Sequence, residues 1–251
     1  MFLLLEYLVI FIIFNESLNQ EPERKLKAAI FDLDGTLLDT QKLYDEANQV
    51  VINKYGNGKL YDDDLKVKIH GSPPSFGSPY LINYFQIRLT AEEFMDKKND
   101  YIREKISECK PLKGAKELTH ILKHKYGFKI AIATSSPKDS VELKFSQQKE
   151  WLKSDFDLMI TGEDKRIIKG KPNPDIFLLA AKELGVRPEE CIIFEDAVNG
   201  IQAGLNSMAG IVVGVPDPYA KHLIEDLPYD KTKTKLCILD SLEDFDYSLI
   251  K

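Results

Sequence analysis

Two aspartates stand two positions apart in Phe31-Asp32-Leu33-Asp34-Gly35-Thr36, directly behind the apolar run Ala28-Ala29-Ile30. Side chains at i and i+2 of a strand point the same way. At about 4 Å and an effective dielectric near 20, two such charges repel by roughly 4 kcal/mol. A chain that keeps the pair is expected to place something cationic between them. Gly35 lets the backbone approach a ligand closely, and Thr36 adds a hydroxyl and free N–H groups of the kind phosphate sites use. By itself the fragment also fits a solvated strand-to-helix turn with a capping Asp.

Three further clusters follow apolar runs in the same way. Thr134-Ser135-Ser136 comes after 129–133 and before Pro137, which opens a helix; hydroxyls and amides at a helix start bind phosphate. Gly170-Lys171-Pro172-Asn173-Pro174-Asp175 follows the run 158–161, and its prolines restrict the backbone around Lys171, a phosphate-seeking point charge. Glu195-Asp196 ends the run 191–194 and supplies two more oxygen ligands. Each alone reads equally well as an N-cap, an exposed lysine or a solvated turn. Four at four strand ends form a set with the charges a phosphoryl site needs, including hard oxygen ligands suited to octahedral Mg²⁺.

The elements that must carry these groups are legible as short, continuous apolar runs at 28–33, 129–133, 158–161, 191–194 and 211–215, alternating with helical patterns such as 114–126, 174–184 and 198–206. Continuous rather than alternating polarity predicts parallel strands covered on both faces, hence a doubly wound, Rossmann-like α/β sheet. Such sheets bind ligands beyond the carboxyl ends of their strands. Between the first run and the helix at 114 lie too many residues for one crossover. They read as a helical insert over 41–110, with helices at 42–54 and 91–107 and a break through Gly71-Ser72-Pro73-Pro74 and Gly77-Ser78-Pro79. The expected division is an apolar N-terminal extension (1–25), a core domain (26–40 and 111–251) and the inserted cap.

A chain of 251 residues with 43% hydrophobic content can bury a full-sized core. A net charge of −6 and the lack of any long Lys/Arg run argue against nucleic acid as a partner. Three scattered cysteines, Cys109, Cys191 and Cys237, imply neither a disulfide framework nor a zinc site. The opening MFLLLEYLVIFIIF is short for a membrane span and interrupted by Glu6. No basic residue precedes it and no small-x-small cleavage site follows. A secretory signal, an anchor, a docked segment and an overlong gene start stay open for it. The core domain is expected in the cytoplasm, with no membrane contact.

The segments FDLDGTLLDT, ATSS, GKPNPD and FEDAVNG resemble, in this order, the haloacid dehalogenase superfamily of phosphohydrolases having a helical cap after strand one. From Ala131 to Pro218 the chain is most similar to its pseudouridine-5'-phosphatases and their sugar- and glycerol-phosphate relatives. The resemblance implies Asp32 as the nucleophile that forms an aspartyl-phosphate and Asp34 as acid and base. It implies Thr134, Ser135 and Lys171 around the phosphate, and Mg²⁺ held by Asp32, the Asp34 carbonyl and Asp196, with Glu195 in or just behind the ligand set. Dehalogenase members lack the second acid, so Asp34 points to a phosphatase acting on a small phosphorylated metabolite. A β-phosphoglucomutase-like transferase and a non-catalytic phospholigand scaffold are the alternatives. Lys66, Lys68, His70 and Arg88 are candidate second-phosphate contacts in the cap, or simply a solvated face.

Overall fold

The computed structural model describes residues 25–69 and 74–250. The apolar N-terminal run and His70 to Pro73 lie outside them.

Six strands, β1 (Ala28–Phe31), β2 (Lys129–Ala133), β3 (Leu158–Ile160), β4 (Cys191–Glu195), β5 (Ile211–Gly214) and β6 (Lys235–Ile238), form one sheet in the order β3-β2-β1-β4-β5-β6. Every pairing is parallel, with Ala28 level with Lys129 on one side and Cys191 on the other. The doubly wound sheet expected from the apolar runs is therefore present. The sixth strand escaped the sequence reading: β6 is a half-exposed edge, and its short apolar stretch Leu236-Cys237-Ile238-Leu239 carries no polar cluster of the kind that marked other strand ends.

Strand periodicity splits the core in two. Ala29, Phe31, Ile130, Ile132 and Phe194 face a layer containing Leu118, Leu122, Val141 and Trp151. Ala28, Ile30, Ala131, Ile193 and Val212 face Ile176, Phe177, Ala180, Ile201 and Leu205 on the other side. Both faces of the central strands are covered by apolar side chains, as the unbroken apolar runs require.

The insert that follows β1 carries four α-helices: α1 (Gln41–Tyr55), α2 (Asp63–Ile69), α3 (Pro74–Tyr84) and α4 (Ala91–Lys105). They bury their own cluster, including Val51, Ile52, Leu65, Leu81, Phe85 and Phe94. Thr90 starts α4 with a capping box, its hydroxyl accepting from the Glu93 N–H while the Glu93 carboxylate accepts from the Thr90 N–H. The expected break at Gly77-Ser78-Pro79 is corrected: α3 runs through Pro79. A proline there removes one backbone bond, and burial of Ser78, Leu81 and Phe85 against the rest of the insert outweighs that loss. The chain leaves and returns on adjacent backbones, with the Asp39 N–H donating to the Lys110 carbonyl and Leu112 N–H to Leu37.

The remaining helices are α5 (Ala115–His120, continued by a π turn over Ile121–Lys125), α6 (Lys138–Lys144), α7 (Lys149–Asp155), α8 (Asp175–Leu184), α9 (Val198–Asn206) and α10 (His222–Glu225). Among the described residues no helix is long and apolar enough to cross a membrane.

Candidate active site

The four polar clusters meet at the carboxyl edge of the sheet. Asp32 follows β1 and is buried, its backbone N–H donating to the Phe194 carbonyl on β4. Lys171, on the loop before α8, donates to Asp32 Oδ1 at 2.5 Å and to Glu195 Oε1 at 2.7 Å, with the Ala133 carbonyl at 3.3 Å. Its ammonium also lies 5.1 Å from the centre of the Phe177 ring. Burial opposes the Lys171 charge, but the carboxylates of Asp32 and Glu195 outweigh burial and hold the lysine protonated.

Asp34 has a different cation. Lys144, at the end of α6 and wholly buried, approaches its two carboxylate oxygens at 2.6 and 2.7 Å. Ser136 Oγ donates to Asp34 Oδ2 at 2.7 Å, and the Tyr44 hydroxyl of α1 donates to Oδ1 at 3.1 Å. Burial would raise the Asp34 carboxyl; Lys144 and Ser136 overcome it and hold the group below the usual carboxylate range. The two carboxylates thus do not share a lysine: Lys171 serves Asp32 and Lys144 serves Asp34. The strand ends at Phe31, so Asp32 and Asp34 lie in the turn, where the two-residue alternation of a strand no longer aligns them.

Glu195 and Asp196 leave β4 in different directions. The Glu195 oxygens are both engaged, one by Lys171 and one by the Ala197 N–H at 2.9 Å, and a side chain at Gly200 would collide with this carboxylate. Asp196 Oδ1 accepts from Thr36 Oγ1 at 2.9 Å. Its Oδ2 lies against Gly35, where φ is +81° and a Cβ would come within 2.2 Å. Glycine at position 35 thus serves both the turn and the close approach of Asp196. Asp32 and Glu195 pair with one ammonium and the charge of Asp196 adds to theirs, so the cluster is short of positive charge.

Thr134, at the end of β2, is buried; its hydroxyl accepts from the Ser136 N–H at 3.1 Å and lies 3.5 Å from Asp34 Oδ2. Ser135 is exposed, with its carbonyl against Gly162, whereas Ser136 brings the hydroxyl to the acid. Lys144 and Tyr44 were missed altogether. A signal existed for each: Val141, Lys144 and Phe145 form one helical stripe, and Tyr44 shares a stripe with Ala47, Asn48 and Val51, so both polar residues interrupt buried faces. In the insert, Lys66 pairs with Asp63 at 2.8 Å, while Lys68 and Arg88 are exposed.

A pH dependence follows. Burial pushes the Asp32 carboxyl up to about 7 against the pull of Lys171, and burial with the neighbouring charges of Glu195 and Asp32 raises Asp196 well above the ordinary range. Between about pH 4 and pH 7 the folded, metal-free protein therefore holds protons that the unfolded chain releases near 3.9. Its stability should fall as pH rises through that window, by up to roughly 1.4 kcal/mol per pH unit from Asp32, with the raised Asp196 carboxyl acting in the same direction. The depressed carboxyl of Asp34 acts oppositely and at lower pH: its contribution is present above about pH 4 and lost as pH falls. Urea midpoints in EDTA at about pH 5 and about pH 7.5 test this; a midpoint that rises over the interval contradicts it.

Acids and ammonium groups gathered at one edge of a doubly wound parallel sheet, beneath a helical insert, define an α/β enzyme of the kind that works at strand ends. The profile of the haloacid dehalogenase-like hydrolases matches residues 26–207. A Drosophila melanogaster protein named "Probable pseudouridine-5'-phosphatase" is 35% identical over 227 residues, spanning 88% of this chain and 92% of its own length. A Thermotoga maritima "Phosphorylated carbohydrates phosphatase" is 34% identical over 205 residues, spanning 80% and 91%. Among solved structures, a family IA hydrolase from Entamoeba histolytica superposes with TM-score 0.69 at 24% identity, covering 90% of this chain and 98% of that one. A β-phosphoglucomutase from Clostridium difficile gives 0.65 at 24%, covering 90% and 95%. The chain belongs to the haloacid dehalogenase-like hydrolase family. These relatives at 34–35% identity are named as phosphatases, enzymes that hydrolyse phosphoric monoesters.

Proposed function

We propose that this hydrolase is a Mg²⁺-dependent phosphatase for a small phosphate monoester, either nucleotide-like, such as pseudouridine 5'-phosphate, or a sugar or polyol phosphate, working through an aspartyl-phosphate on Asp32. The observation that carries this reading is the pair of acids with separate lysines: Asp32 tied through Oδ1 to Lys171, and Asp34 held ionised by Lys144. Two carboxylates in different environments can take different roles.

Asp32 attacks phosphorus through Oδ2, the oxygen that Lys171 does not hold, and the leaving alcohol takes its proton from Asp34. Asp34 then removes a proton from the water that hydrolyses the intermediate. Lys144 and Ser136 favour this second, ionised state, so the acid step requires Asp34 to gain a proton in competition with that ion pair. Thr134 and Lys171 face the equatorial oxygens of the transferring group, where the negative charge is spread. Glu195, with both oxygens engaged, holds Lys171 in place.

The charge deficit of the cluster and its all-oxygen donor set fit Mg²⁺. Asp32, the Asp34 carbonyl and Asp196 would hold the ion, which when bound screens nucleophile from phosphate. Residues 41–110 act as a cap: Tyr44 carries the insert onto Asp34, and Lys98 lies 5.9 Å from the Tyr44 ring centre. A lid this close admits a small leaving group. The phosphatase activities named for the relatives at 34–35% identity support hydrolysis over transfer. Free thiols at Cys109, Cys191 and Cys237 suit a reducing compartment such as the cytoplasm.

Phosphate release by the full chain with Mg²⁺, across pseudouridine 5'-phosphate, nucleoside monophosphates, glycerol phosphates and hexose phosphates, tests the reading. One class should exceed the others by at least about tenfold in kcat/KM, and EDTA should abolish turnover. Interconversion of hexose phosphates without phosphate release would establish a mutase instead. Folded protein with no turnover on any substrate would sink the proposal.

A further inference from the structure

A second cluster of ligating side chains lies away from the catalytic acids. His120 ends α5, His124 sits in the π turn that prolongs it, and Asp155 ends α7. The α5 chain leads into the amino end of β2 at Lys129. The α7 chain leads through Asp157 into the amino end of β3 at Leu158. The three residues are thus at the edge of the sheet opposite to Asp32 and Asp34.

His124 Nε2 lies 3.2 Å and His120 Nδ1 3.7 Å from the same oxygen, Asp155 Oδ1, and one ligand atom from each of the three residues falls within 4.8 Å of the others. The imidazole rings are 4.4 Å apart, tilted by 44°. A tetrahedral ion with ligands at about 2.0–2.1 Å needs donor atoms roughly 3.3 Å apart, a spacing that small side-chain rotations reach here.

The carboxylate is built into the fold. Asp155 is 2% exposed, with Thr119 Oγ1 donating to Oδ2 at 2.9 Å and Ser154 Oγ donating to Oδ1 at 2.8 Å. Trp151 Nε1 donates in turn to Thr119 Oγ1 at 2.9 Å. Such outer partners orient a ligating group and hold it ready. Burial would raise Asp155, but the hydrogen bonds from Ser154, Thr119 and His124 keep it ionised. The imidazoles, by contrast, are 67% and 45% exposed, so an ion can reach them from solvent. The π turn that carries His124 is of the kind that recurs at functional sites.

We propose that His120, His124 and Asp155 form a binding site for a borderline divalent transition-metal ion, of which Zn²⁺ is the natural probe, separate from the catalytic cluster. Two imidazole nitrogens and one carboxylate select such an ion over Mg²⁺, which favours oxygen ligands. Three protein ligands leave the remaining position to water or to a donor from a partner. A bound ion bridges α5 and α7, two helices that cover one face of the sheet.

Calorimetric titration of the full chain with Zn²⁺, in excess Mg²⁺ to occupy the catalytic acids, tests the site against the double variant His120→Ala/His124→Ala. Wild type should bind one more equivalent than the double variant, or the same equivalent at least about tenfold more tightly. Zn²⁺ should raise the melting temperature of wild type only, and Mg²⁺-supported turnover should be equal in the two proteins. Identical isotherms, or no Zn²⁺ uptake by wild type, would overturn the proposal and leave the cluster as a hydrogen-bonded tie between helices. Asp155→Asn should weaken uptake while retaining the shape of the side chain. Because Asp155 is buried and that variant risks misfolding, the exposed histidines carry the decision.

Discussion

Asp32→Asn should reduce turnover by about 10⁴-fold or more while leaving the protein folded. The amide has nearly the same shape but cannot attack phosphorus, and removal of a nucleophile typically costs this much or more, the residue being supplied by binding and electrostatics. The same change takes one carboxylate out of a buried set in which Asp32 and Glu195 pair with Lys171 and the charge of Asp196 adds to theirs. Burial pushes Asp32 up to about 7, so at neutral pH its charge is a strain on the metal-free protein. The urea midpoint of Asp32→Asn in EDTA should therefore equal or exceed that of wild type, and its fall between about pH 4 and pH 7 should be shallower. Turnover within about a hundredfold of wild type would remove Asp32 from the nucleophile role. Lost turnover together with a collapsed midpoint would show a structural role instead.

Lys144→Met carries the second large effect, this time on stability as well as rate. Methionine keeps an unbranched stem reaching to Cε but leaves Asp34 enclosed without its ammonium. Breaking one partner of a buried ion pair costs about 3–5 kcal/mol, because the remaining charge is uncompensated. Ser136 and Tyr44 still donate to Asp34, which sets the expectation at the lower end. Turnover should fall by about 10²-fold or more as Asp34 loses its place and its bias toward the ionised state. The double variant Asp34→Asn/Lys144→Met separates the two effects: it removes both charges, so it should recover much of the stability and none of the activity. If Lys144→Met stays within about 1 kcal/mol of wild type, the pair does not hold Asp34 and the assignment of its environment is wrong.

These two residues also show where sequence reading stops. Asp32 stands at the end of an apolar run, and its neighbours in the chain announce it. Lys144 is one of 34 lysines and arginines, in a short helix with charged residues on its other faces, and nothing adjacent to it in the chain points to Asp34. Its place in the stripe with Val141 and Phe145 shows that it is enclosed, without showing what it meets. The break expected at Pro79 failed for a related reason: a local rule about one backbone bond was overridden by burial of Leu81 and Phe85, whose partners come from elsewhere in the insert. Ser136 rather than Ser135 reaches Asp34 because the turn after β2 carries the Ser135 carbonyl onto Gly162.

By itself the sequence determined the parallel sheet, the helical insert after its first strand and the strand ends at which the polar groups gather. These follow from local signals: unbroken apolar runs demand cover on both faces, and crossover connections bring the carboxyl ends to one edge. Only the tertiary structure decided which cation serves which acid. Lys171 reaches Asp32 across 139 positions of chain and Lys144 reaches Asp34 across 110. Coulomb energy depends on separation in space and on the surrounding dielectric, and neither is a property of spacing along the chain.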